Sequence, residues 1–135
     1  MRDVRARTER ARVGELASAV GDARATQARL DGAKERSKAA RDAVAAALVA
    51  RDTLLSSGAT STQLAQAERF VARRRKELAD ALAEEVRCEV AHLEREGHAD
   101  AARLTLRRAR AEREVIERHF ERWRTEQKKL ADRRE

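Results

Sequence analysis

The stretch Ser56-Ser57-Gly58-Ala59-Thr60-Ser61 is the single cluster of turn-forming residues in a chain of 135 that contains no proline. Its position decides the fold. Gly58 supplies a permissive backbone, and the Ser and Thr side chains can bond nearby backbone groups. On its N-terminal side, apolar residues recur with alternating spacings of three and four: Val13, Leu16, Val20, Ala23, Leu30, Val44, Leu48 and Leu55. That spacing is a heptad frame. The same frame puts Gln27, Lys34, Ser37 and Arg41 where apolar residues belong, which predicts loose packing or a partner at the centre of the first helix. On the C-terminal side, Ser61 or Thr62 can cap a second helix with apolar residues at Leu64, Phe70/Val71, Leu78, Leu82, Val86, Val90, Leu93, Leu104, Val115, Phe120, Trp123 and Leu130. Gly97 is its one weak point, costing about 1 kcal/mol relative to alanine.

Composition agrees with two long helices. The chain is 41% charged and 2% aromatic, and Ala, Arg, Glu and Leu, which are good helix formers, predominate. Alanine offers little apolar area, so a thick globular core is excluded and the apolar residues must form a narrow seam. The expected fold is all-α: a long two-helix antiparallel coiled-coil hairpin with unequal arms, forming one domain. Helix 1 should span about 4–55, the turn about 56–61 and helix 2 about 62–134. At about 1.5 Å per residue the arms extend roughly 78 and 110 Å. With residues pairing across the turn so that Met1 faces Ile116, the segment from Glu117 onward has no partner within the chain. That overhang carries Phe120, Trp123 and Leu130, and a helix of its length is marginal alone.

The charge is uneven. Residues 1–12 hold five basic and two acidic side chains, and residues 101–135 hold twelve and seven, while the whole chain carries a net +7. In an antiparallel hairpin both stretches share one end, which becomes a basic, aromatic docking end for an acidic or carbonyl-lined surface. A self-solvating arginine-rich helix stitched by i,i+4 pairs such as Glu114 with Arg118 is the plainer reading of any single arginine.

Motifs for chemistry are missing. His92, His98 and His119 lack the three- or four-residue spacing of helical metal ligands, so no metal site is expected. No Gly-rich phosphate loop is present, and no cofactor is implied. Cys88 cannot form an internal disulfide and is read as a small seam residue. The chain is therefore expected not to be an enzyme. Nucleic-acid binding is raised by the pI of about 10.6 and by Arg73-Arg74-Arg75-Lys76, but interleaved acids and scarce aromatics argue against it. No apolar run reaches the roughly 18 to 20 residues needed to cross a bilayer, and the N-terminus lacks the apolar region of a signal peptide, so a cytoplasmic chain is expected.

The layout resembles the FliJ/YscO (SctO) family, the central stalk proteins of flagellar and virulence type III export machines. The resemblance covers nearly the whole chain. It is carried by a first helix ending in a Gly/Ser turn, the stretch Leu64-Ala65-Gln66-Ala67-Glu68-Arg69-Phe70-Val71, a long Arg/Glu-rich second helix, and Glu114-Val115-Ile116-Glu117-Arg118-His119-Phe120-Glu121-Arg122-Trp123-Arg124. It implies an antiparallel coiled coil that inserts its terminal end into the hexameric export ATPase, peripherally at the inner membrane; alone, the chain is expected to be a monomer. ATPase contacts would fall to Arg5, Arg7, Arg12, Arg110, Arg113, Arg118, Phe120, Arg122, Trp123 and Arg124. A contact with the cytoplasmic ring of the export gate would fall to Phe70, Val71, Arg74 and Leu78, and secretion chaperones are further implied partners. Arg74 stands where flagellar members carry an aliphatic residue. The alternative from another class is a generic dimeric coiled-coil scaffold or stator, joined through the second helix.

Overall fold

The computed structural model describes residues 1–134. The chain is an all-α antiparallel helical hairpin, in which α1 (Arg2–Ser56, 55 residues) and α2 (Ser61–Asp132, 72 residues) pack against each other. The arms are unequal, as expected. No helix among the described residues is long and apolar enough to cross a membrane.

The turn is closed by chemistry at both helix ends. Gly58 has a φ of 75°, the left-handed conformation that ends helices at little cost only for glycine. The Ala59 amide reaches back to the Leu54 carbonyl at 3.1 Å, the long-range bond of a Schellman cap. The start of α2 differs from expectation. Thr60, one residue before the expected Ser61 or Thr62, is the N-cap: its hydroxyl accepts the Gln63 amide at 3.2 Å, and the Gln63 side-chain oxygen accepts the Thr60 amide at 2.9 Å. This reciprocal pair is a capping box. Thr60→Ala is expected to lower stability by about 1 kcal/mol in urea titration, whereas Thr62→Ala, outside the box, should change it little.

Two compact units make up the chain: a turn unit of residues 24–94, and a terminal unit of Met1–Ala23 with residues 95–134. In the turn unit, the α1 seam runs Thr26, Leu30, Ala33, Ser37, Ala40, Val44, Ala47, Arg51 and Leu54, all buried or half-buried. The spacing alternates four and three without a break. This corrects one half of the expected frame: Lys34, Arg41 and Leu55 are exposed, and Ala33, Ala40 and Leu54, each one residue earlier, take their places. The centre of the helix is consequently well packed, with Leu30 at 5% and Ala33 at 1% exposure. On α2 the facing residues include Leu64, Ala67, Val71, Leu78, Ala81, Glu85, Cys88 and His92. The polar seam residues are matched across the hairpin. Ser37 donates to Glu85 at 2.7 Å, Thr26 and the His92 Nδ1 lie 3.1 Å apart, and Arg51 pairs with Glu68 at 3.3 Å. Satisfied polar pairs of this kind fix register where an alanine seam alone would slide.

In the terminal unit Ala99, Leu106 and Ala109 are the buried apolar residues. The expected apolar set of α2 is corrected in both units: Val86, Val90, Leu93, Leu104 and Val115 are exposed, while alanines, Cys88 and His92 line the seam.

Candidate docking site in the terminal unit

In the terminal unit, the heptad frame of α1 delivers charged residues to the seam. Arg5, Glu9 and Arg12 take the positions held elsewhere by alanine and leucine, and all three are half-buried. Their charges are neutralised from α2. Glu9, whose side chain is only 14% exposed, lies between Arg113 at 2.9 Å and Arg110 at 3.4 Å. Its Oε2 has no aligned hydrogen-bond donor, so the Arg113 contact is an ion pair off the N–H axis. Arg5 pairs with Glu112, and Asp22 with Arg95 at 3.6 Å. The two exposed pairs, Arg5 with Glu112 and Asp22 with Arg95, contribute about 0 to 1 kcal/mol each; the mostly buried Glu9 contributes more and helps to hold the register.

Beyond them lies an aromatic–arginine cluster. Arg2 binds Glu117 through two parallel hydrogen bonds of 3.0 and 2.9 Å, the bidentate geometry that planar guanidinium favours. The carboxylate holds the Arg2 guanidinium still more firmly protonated. The same guanidinium lies over the Phe120 ring at 4.6 Å, Phe120 stacks on Trp123 with centroids 5.8 Å apart, and Arg124 sits 5.9 Å from the Phe120 ring on its own side. Met1, Ala6, Val115 and Ile116 border the open groove beside these rings. The expected overhang therefore starts too early. Glu117 and Phe120 have partners within the chain, and the wholly exposed stretch of α2 begins at Glu121.

The expected docking arginines divide accordingly. Arg5, Arg110 and Arg113 are spent on cross-helix ion pairs, and Arg12 on Glu15 at 2.9 Å. Arg118 has only a 3.8 Å contact with Glu114, while Arg7 and Arg122 pair with no described residue. The outward set is thus Arg7, Arg118, Arg122 and Arg124, beside Trp123, which is 51% exposed.

Near the turn, the second expected set separates too. Val71 is 1% exposed and Leu78 is half-buried, so Val71 offers a partner no side-chain surface. Phe70 is 39% exposed, and the Arg74 guanidinium lies 4.8 Å from its ring while also binding Glu77 at 2.8 Å. An aliphatic residue at 74 would cover the Phe70 ring with apolar surface from one turn away; arginine covers it with a cation.

Cys88 donates to Glu84 at 3.5 Å. Desolvation first, and Glu84 second, push its thiol up, while Arg87 and then Cys88 hold the Glu84 carboxyl low. A thiol kept protonated is a poor nucleophile. Cys88 is expected to alkylate with iodoacetamide several-fold more slowly than glutathione at pH 8, and Glu84→Ala should narrow the gap.

Together, fold and site define an antiparallel helical hairpin with an ion-paired terminal seam and an outward aromatic–arginine cluster. Comparison with protein-family models, curated proteins and solved structures finds no match to this chain.

Proposed function

We propose that this chain is a non-catalytic docking hairpin, the central stalk of a type III protein export apparatus, which engages the export ATPase hexamer through its terminal unit. The observation that carries the reading is the outward placement of Arg118, Arg122, Arg124 and Trp123 on α2, next to a Phe120 ring already fixed by Arg2. Fixed aromatics flanked by exposed cations without cross-helix ion pairs present both parts of a binding hot spot, a rigid apolar anchor and a steering charge. An acidic, carbonyl-lined ring interior is the complementary surface. The hairpin would bias the ring's nucleotide states mechanically and work in the cytoplasm at the inner-membrane export site. Phe70 with Arg74 provides the second contact, towards the export gate, with Val71 and Leu78 kept for the hairpin seam.

The test is a binding titration of the full chain against a purified export ATPase hexamer at two salt concentrations. Arg118→Glu, Arg122→Glu and Arg124→Glu together should weaken binding at least about tenfold and flatten its salt dependence, with the far-UV circular dichroism unchanged. Unaltered affinity in the triple variant, or no binding by the parent chain, would sink the proposal.

A further inference from the structure

The turn unit carries a second heptad stripe on α2, facing away from α1. Ala72, Lys76, Ala79, Ala83, Val86, Val90 and Leu93 follow one another at alternating spacings of four and three, and all seven are exposed. Val86, Val90 and Leu93 are 59%, 61% and 60% exposed. A seam with this spacing on a solvent face is a coiled-coil surface without a partner.

We propose that the occupant of this face is a second copy of the same chain, its α2 lying antiparallel across the first about a twofold axis between Glu84 and Glu85. Charge selects both partner and direction. In that register Ala83 faces Val86 of the other copy, Ala79 faces Val90 and Lys76 faces Leu93, so each large aliphatic residue meets a small one or an aliphatic stem. The flanking residues then meet as Arg73 with Glu94 and Asp80 with Arg87, and the symmetry makes each pair twice. Arg73, Asp80 and Glu94 are exposed and pair with no described residue of their own chain, which leaves them available; Arg87, also exposed, already binds Glu84 at 2.8 Å and would take Asp80 as a second carboxylate. A parallel, in-register pairing would bring Arg75 beside Asp80, but it also sets Glu89 beside Glu94 and stacks Lys76 on Lys76 in the seam itself, and is the less favoured of the two. The self-complementary pattern is what an isologous interface requires.

The stripe lies wholly within residues 72–94, whereas the arginines assigned to the ATPase lie in the terminal unit, so loss of self-association and loss of ATPase binding are read by different variants. Light scattering of the full chain across a concentration series should show a rise from 15.2 kDa to twice that mass. Val90→Glu should abolish the rise. Arg73→Glu should weaken association at least about tenfold by facing Glu94, and adding Glu94→Arg should restore it, with helicity constant in every variant. A parent chain that stays at monomer mass up to about 0.5 mM, where an interface of micromolar Kd would be almost fully formed, overturns the proposal. So does a dimer indifferent to Val90→Glu, or a double variant that fails to recover.

Discussion

Replacing Val71 with aspartate is expected to cost about 3 to 5 kcal/mol, the range for an unpaired charge forced into a buried site. Val71 is the largest fully buried side chain among the described residues, at 1% exposure, and it lies in a narrow seam with room for neither the charge nor its water. Loss of the valine's transfer free energy adds to the penalty. The control is Val49→Asp on α1, where the parent side chain is 65% exposed and the change should stay within about 0.5 kcal/mol. Urea titrations of the two variants followed by circular dichroism give the comparison directly. Equal losses would mean that Val71 does not occupy the seam.

The second large effect is expected at Glu9. Glu9→Lys replaces the one carboxylate lying between Arg110 and Arg113 with a cation, at a seam position flanked on α1 by Arg5 and Arg12. Breaking a buried pair costs about 3 to 5 kcal/mol. Because Arg110 and Arg113 are 53% and 44% exposed and can rehydrate, the expected loss is about 2 kcal/mol at low salt. It should shrink as salt screens the like charges. Glu15→Lys, which loses only the local contact with Arg12, should cost about 0.5 kcal/mol or less. A Glu9→Lys chain as stable as the parent would show that the seam of the terminal unit is held by its apolar residues alone.

Both variants turn on which residues face the seam, and that was only partly legible in the sequence. In α1, Leu16, Ala23, Leu30, Ser37 and Val44 are in the frame as expected. In the other half of the frame, Ala33, Ala40 and Leu54 take the places of the exposed Lys34, Arg41 and Leu55, while Gln27 and Leu48 stay half-buried beside the buried Thr26 and Ala47. Leucine and valine dominate any hydrophobic pattern, whereas alanine barely registers, yet a seam between two close helices prefers alanine because it lets the backbones approach. The capping box at Thr60 and Gln63 could have been recognised from the spacing of Thr60-Ser61-Thr62-Gln63. The role of Glu9 could not, because its counterions are about a hundred residues away in sequence.

The candidate site shows the same division. Basic and aromatic character in the terminal stretches follows from counting residues. Which arginines remain outward does not: Arg5, Arg110 and Arg113 differ from Arg122 and Arg124 only in what the opposite helix places beside them.

The sequence by itself determined that the chain is helical, that it turns once near Gly58, and that its arms are unequal. These follow from backbone propensity, from the lack of proline and from the single cluster of turn-forming residues around Gly58, all local properties. Only the tertiary structure decided the register, because pairs such as Thr26 with His92, Ser37 with Glu85 and Glu9 with Arg113 depend on distances between helices. That register in turn sends Val86, Val90 and Leu93 to solvent and Val71 and the alanines inward, since burial is a property of the paired helices and not of either one.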